Sequence, residues 1–333
     1  MSVRDLLIIG AGPAGLAVAI AASEAQLDYQ VLEKGVLVNS VFNFPPQMTF
    51  FTTPDLLEIG RLPFVTPYEK PTRHEALRYY RRVVDAYRLS IAFGEEVVSV
   101  EPDGVEGERT FVVDTRSDRG VRRGRYARAV VFATGYYDHP NRLGIPGEDL
   151  PHVAHYYGDP HAHYQRRVLI VGGKNSAAIA ALELYRAGAQ VTLLHRGETL
   201  SDRIKYWIRP DIDNRIKEGS IAAHFGAHVI EIRPTAALVE LASGERREIA
   251  ADAVLLLTGY HPDFSLLERA GVTLDERRAP EYNPETMETA IPGLYVAGGL
   301  VGGLDTGAIF IENGRFHGEK IVHAYLARTA HVL

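Results

Sequence analysis

The sequence predicts an α/β fold of two doubly wound, Rossmann-like units, the second inserted into the first. Three observations predict it. A strand, glycine turn, helix and strand open the chain, the same order recurs near residue 167, and three later apolar runs each end in glycine as return strands do. A length of 333 residues also exceeds what one core usually organises.

The first unit reads "RDLLIIG" as a buried strand, "PAGLAVAIAASEAQ" as a helix and "YQVLEKG" as the next strand. The second reads "RRVLIVGG", then "NSAAIAALELYRAG" closed by Gly188, then "AQVTLLHRG". The return strands are expected at 127–137, 251–263 and 291–299. Between them, "DHPNRLGIPGEDLPH" has the Pro and Gly density of a linker. The expected division is therefore 1–150 with 262–333 as one domain and 151–261 as the other.

Gly10-x-Gly12-x-x-Gly15 stands between strand and helix, the context in which this pattern binds dinucleotides. Gly10 permits the tight turn, Gly12 lets backbone approach a pyrophosphate, and Gly15 lets helix and strand pack closely. The helix start adds free N–H groups and a positive dipole end. Glu33, 21 residues after Gly12, can accept from both ribose hydroxyls and disfavours a 2′-phosphate. Site one is thus expected to hold FAD or NAD.

The second turn, Gly172-Gly173-Lys174-Asn175-Ser176-Ala177, departs from the fingerprint at Lys174 and Ala177. Its strand ends without an acid, in His195-Arg196. An arginine there is a charge-assisted partner for a 2′-phosphate, which favours NADPH over NADH. Lys205, and behind it Arg203, are candidates for the same pocket. Two sites of opposite preference suggest hydride passing from NADPH to a flavin.

Composition narrows the partners. A net charge of −6 gives no basic footprint for nucleic acid. No uninterrupted apolar run reaches the roughly 18 residues of a membrane span, and the N-terminal apolar run lacks a basic leader region, so a cytoplasmic protein is expected. The absence of cysteine excludes disulfides, thiolate metal sites and a protein dithiol. His152, His155, His161 and His163 fall close together, but no carboxylate pair completes a ligand set and no metal is expected. Aromatics in "FNFPPQMTFF" fit a substrate pocket or a buried loop equally.

These motifs, with the "ATG" at 133–135 and "GLYVAGG", resemble the two-domain flavoproteins typified by thioredoxin reductase. Within them, "NSVFNFPPQMTFFTTPDLLEIG", "KPTRHEALRYYR", "VGGKNSAAIAALEL", "TGYHPD" and "IFIENGRFHG" are similar to the bacillithiol-disulfide reductase family, nearly end to end. The resemblance implies FAD at site one, with Gly10, Gly12, Pro13, Ala14 and Gly15 at the pyrophosphate and Glu33 at the ribose. It further implies contacts from Asn43, Gln47, backbone near Val97, Thr134, Gly135, Gly298 and Gly299, with a helix beginning near Gly307 aimed at the flavin. NADPH would lie on Gly172, Gly173, Lys174, Asn175, Ser176, Arg196 and Lys205, and a homodimer is implied. The activity implied is NADPH-dependent reduction of a low-molecular-weight disulfide.

Two departures matter. The region preceding the second turn, where thioredoxin reductases carry Cys-x-x-Cys, reads "VAHYYGDPHAHYQ", and the slot that holds a cysteine in bacillithiol-type relatives is Ala14. The acceptor is therefore expected to be a small molecule or a small redox protein. A ferredoxin or flavodoxin NADP⁺ reductase without a dithiol and a redox sensor with negligible turnover stand as the alternatives.

Overall fold

The computed structural model describes residues 3–104 and 110–330. It divides into two compact units: 1–43, 48–139 and 260–333 form one, and 44–47 with 140–259 form the other.

In the first unit β1 (Val3–Ile9), β2 (Tyr29–Glu33) and β3 (Ile91–Phe93) are followed by β4 (Glu95–Asp103), β5 (Thr110–Ser117) and β6 (Arg122–Phe132), and β15 (Leu294–Val296) closes the sheet. The strand order is β3-β2-β1-β6-β5-β4, with β15 also on β6. β6 carries two kinds of pairing. Its first half runs antiparallel to β5, from Arg116 opposite Arg122 to Phe111 opposite Ala127, and its second half runs parallel to β15 and β1. A parallel core thus continues into an antiparallel meander. Burial follows: β1 ends in four consecutive buried residues, while β4 alternates at its start, as a one-sided strand does.

Helix α1 (Pro13–Glu24) covers this sheet and packs on α9 (His317–Ala330). Their approach is close, since a Cβ on Gly318 would lie 2.5 Å from the Ala17 carbonyl oxygen. The short helices α2 (Asn39–Phe42) and α3 (Pro54–Leu57) lead to α4 (Arg73–Tyr87), and α7 (Phe264–Arg269) belongs to the same unit. Thr72 and Glu75 form a complete capping box at the start of α4, and Ala76, Tyr79, Tyr80 and Val83 are its buried face.

The second unit contains β7 (Val153–Ala154), β8 (Arg167–Val171), β9 (Gln190–His195), β10 (Ala222–Phe225) and β14 (Ala253–Leu256) in one parallel sheet of order β10-β9-β8-β14-β7. A separate antiparallel sheet holds β11 (His228–Arg233), β12 (Ala236–Glu240) and β13 (Arg246–Ala250). Helices α5 (Asn175–Arg186) and α6 (Arg209–Lys217) complete it. Leu169, Val171, Leu194, Val239, Val254 and Leu256 join the two sheets in one apolar cluster.

The crossings between units lie at 139/140 and 259/260, against the expected 150/151 and 261/262. Residues 140–150 belong with the second unit because Asn141 pairs with Gly259 and Thr258 and because Gly147 seats against Ile232. The return strands are shorter than their apolar runs. β6 stops at Phe132 and β14 at Leu256, and the glycines that follow, Gly135 and Gly259, take left-handed φ values of +67° and +93° that leave the strand path.

Candidate functional site

Strand β1 delivers the chain to Gly10, whose φ of +106° and whose approach to Ala133 exclude a side chain: a Cβ would sit 2.5 Å from the Ala133 carbonyl oxygen. Gly15 is tighter still, with a Cβ 2.0 Å from the Gly10 oxygen. Gly12 differs from both. A Cβ there would meet nothing within 4 Å. Packing therefore demands glycine at 10 and 15, while the space at 12 faces no protein atom. Gly12 is also the N-cap of α1 and offers no side-chain cap, so the first N–H groups of the helix are unengaged by side chains. An open face beside an uncapped helix start fits a pyrophosphate.

Glu33, buried at the end of β2, braces this turn. One carboxylate oxygen accepts from Ala11 N at 2.8 Å and the other from Gly35 N at 2.7 Å. Burial pushes its carboxyl above the ordinary value, opposed by those two N–H groups. Each oxygen keeps a second lone pair for a ribose hydroxyl. Lys34 and Asn39 both engage Asp138 on the flank of this acid.

The far end of the turn is crowded around Ala14. A Cβ on Gly298 would lie 2.6 Å from the Ala14 Cβ, and one on Gly299 would strike the Tyr136 ring at 2.7 Å. The same fold position thus gathers the first turn, the Thr134-Gly135 segment after β6 and the Gly298-Gly299 turn after β15. His317, at the start of α9, fixes that turn: its Nδ1 accepts from Gly298 N at 3.1 Å. Burial pushes the His317 ring down to about 4, so it is neutral and an acceptor. The sequence offered no sign of this histidine beyond its place in "IFIENGRFHG".

The other residues expected at site one are placed as follows. Asn43 caps α2 and donates to the Asn39 carbonyl at 3.0 Å. Val97 is a buried residue of β4 opposite Thr115. Gln47 lies with the second unit, where its amide donates to Glu183 at 2.8 Å and reaches the Gly158 carbonyl at 3.4 Å. The helix expected near Gly307 begins at Ile311, as α8 (Ile311–Gly314), because the Asn313 side chain accepts from Phe310 N and donates to the Ala308 carbonyl, holding residues 308–310 outside the helix.

The second turn repeats the first with different chemistry. Gly172 packs against Leu257, and a Cβ there would also crowd Ala177 at 2.9 Å. The His195 ring lies where Glu33 lies in the first unit, filling the space over Gly173 and Gly197 at 2.3–2.8 Å from their would-be Cβ atoms. Burial pushes that ring below its ordinary value, and Arg196 beside it adds to the effect. Arg196 itself is exposed and makes no ion pair among the described residues. Lys174 is the exposed N-cap of α5.

Asn175 binds this helix start to the following loop, its amide donating to the Arg203 carbonyl at 3.1 Å and accepting from Lys205 N at 2.9 Å. Lys174, Asn175, Ser176, Arg203 and Lys205 are thereby brought to one edge. The clustered histidines separate: His152 faces the Arg233 carbonyl, and His155 lies 3.4 Å from Glu148. Among the described residues no helix is long and apolar enough to cross a membrane.

Residues 7–298 match the family described as pyridine nucleotide-disulphide oxidoreductase. The chain is 42% identical over 326 residues to bacilliredoxin reductase Bdr of Bacillus subtilis, covering 98% of each protein. The fold superimposes on the bacillithiol disulfide reductase Bdr of Bacillus cereus with a TM-score of 0.95, at 42% identity over 98% of this chain and 100% of that one. Thioredoxin reductase of Lactococcus lactis shares the fold, with a TM-score of 0.78 at 22% identity over 98% and 99% of the two chains. With two glycine turns on two Rossmann-like units and this degree of likeness, the chain is a flavin-dependent oxidoreductase and belongs to the bacillithiol-disulfide reductase branch of the pyridine nucleotide-disulphide oxidoreductase family.

Proposed function

We propose that the protein is an NADPH-dependent FAD oxidoreductase that passes electrons to a small acceptor, bacillithiol disulfide first among the candidates, without a thiol of its own. The observation that carries this reading is the contrast between the two strand ends: a buried carboxylate braced at Glu33, and an exposed arginine beside a neutral histidine at Arg196. The first suits an unphosphorylated ribose and the second a 2′-phosphate. FAD, when bound, would accept a hydride and release its electrons to the acceptor.

The protein's own groups bind and orient. Gly12 and the α1 N-terminus receive the pyrophosphate, Glu33 accepts from the adenosine ribose, and Asn43 with the Thr134-Gly135 and Gly298-Gly299 segments takes the remainder. Lys174 and Lys205 flank the NADPH phosphates, with Asn175 holding the loop that carries Lys205. Ala14 contributes a methyl group where relatives place sulfur, so no covalent relay through residue 14 is available. A cytoplasmic homodimer is part of the same reading, and light scattering of the purified protein tests its size.

The decisive experiment is anaerobic. Purified protein is reduced with NADPH, and bacillithiol disulfide, menadione, ferredoxin and oxygen are then added separately while flavin reoxidation is followed. Reoxidation by the disulfide faster than by buffer supports the reading; a colourless protein, or a flavin that NADPH does not reduce, overturns it. A14C should keep FAD. If it confers or greatly raises disulfide reductase activity, the native acceptor is not a disulfide.

A further inference from the structure

We infer that helix α4 is the docking surface for a small protein electron carrier with an acidic face, an acceptor in addition to small molecules. The inference rests on the NADPH-to-flavin reading above and adds the class of partner.

The amphipathic pattern of α4 is complete on both sides. Its buried face is apolar and aromatic, and its opposite face carries His74, Arg78, Arg81 and Asp85 at successive spacings of four, three and four, with Arg82 alongside and Arg88 at the C-cap just past the helix. All six are exposed. Four arginines therefore face solvent against one aspartate, in a chain whose net charge is −6. From residue 74 to 85 the helical stripe runs about 16 Å.

These arginines are not consumed by the fold. Among the described residues Arg81, Arg82 and Arg88 form no ion pair. Arg78 acts on Glu75, whose two oxygens already accept from Thr66 and from Thr72 of the capping box. Asp85 is the one acid on this face, four residues after Arg81 and three before Arg88, and among the described residues it forms no ion pair with either.

The stripe also connects to the candidate flavin site. Arg73, the first residue of α4, donates to the backbone carbonyls of Val41 and Phe42 in α2, directly before Asn43, and its guanidinium lies 5.5 Å from the exposed Phe42 ring. One end of the basic face thus meets an exposed aromatic beside the loop expected to hold FAD. Arginine and aromatic anchors within a charged rim are the usual composition of a protein docking surface, and an unpaired basic stripe steers an acidic partner onto it. The turnover balances when one NADPH and two one-electron carriers give NADP⁺, one proton released to solvent and two reduced carriers.

The test uses the holoenzyme, with an acidic FMN flavodoxin as the probe and menadione as the uncharged control. Charge reversal by R78E/R81E/R82E should lower kcat/KM for flavodoxin about 10- to 100-fold at low salt, with the gap closing as salt is raised. The menadione rate should stay within about twofold, and R78K/R81K/R82K should behave like the parent. Should the reversed variant fail to fold, R81Q/R82Q gives the same comparison at smaller amplitude. Reduction of flavodoxin that is absent, insensitive to salt or unchanged by reversal overturns the inference, as does a stripe that binds duplex DNA without affecting flavodoxin. If NADPH does not reduce the bound flavin, the functional reading fails instead, and that is seen before any carrier is added.

Discussion

At Gly12 the would-be Cβ points into space that no protein atom fills, whereas at Gly10 and Gly15 it collides with backbone. The fingerprint thus separates into two packing glycines and one that leaves room for a ligand. His317 is a residue of the same turn that only the fold exposes, because its partner Gly298 lies 19 positions away. Removing its acceptor leaves a buried N–H unsatisfied, so H317L should destabilise the protein by about 1–3 kcal/mol and weaken FAD retention, while H317N keeps an acceptor at Nδ1's place and should lose less. The pH dependence has a definite sign. The folded ring titrates near 4 and the unfolded one near 6.5, so the unfolded chain binds the proton first, and stability falls as pH drops from about 6.5 towards 4, by an amount on the order of 3 kcal/mol. Urea titrations at pH 7.5 and 5 should show H317L losing less on acidification than the parent. An equal loss in both would remove His317 from the account.

The elements were legible in the sequence to unequal degrees. Both strand-turn-helix-strand units are readable because glycine spacing and buried apolar runs coincide, as in "RDLLIIGAGPAG". Strands β4 and β5 and the first half of β6 are not, because they lack a continuous apolar run and their pairing is set by distant partners such as Arg125 with Glu95. In the sequence only its charge marks Lys205, and what makes it part of the second turn is Asn175, whose amide joins helix α5 to residues 203 and 205. N175A removes both bonds. At roughly 1 kcal/mol each, about 2 kcal/mol together, the dissociation constant for NADPH should rise about 30-fold while FAD content stays constant. Equilibrium titration of the holoenzyme with NADP⁺ measures this, and an unchanged constant would show that the loop holds its place without Asn175.

Across the whole molecule the same architecture is used twice: a five-stranded parallel arrangement, β3-β2-β1-β6-β15 in one unit and β10-β9-β8-β14-β7 in the other, extended in the first by the antiparallel strands β5 and β4 of the same sheet and accompanied in the second by a separate three-stranded antiparallel sheet. The sequence displays the repeat through its glycine turns, yet the crossing points shift to 139/140 and 259/260 because loop residues such as Asn141 and Gly147 find their partners in the second unit. Apart from residues 44–47, that unit is one continuous stretch with its own apolar cluster. Residues 140–259 expressed alone should therefore fold, remain colourless and bind NADP⁺. Ligand at a hundred times its dissociation constant would stabilise the fragment by about 2.7 kcal/mol, a shift that thermal melting resolves readily. NAD⁺ at the same concentration should give a smaller shift, and R196E should bring the two together, because the 2′-phosphate is the only group that distinguishes the nucleotides. A fragment that folds and shifts equally with both would move the source of selectivity away from Arg196.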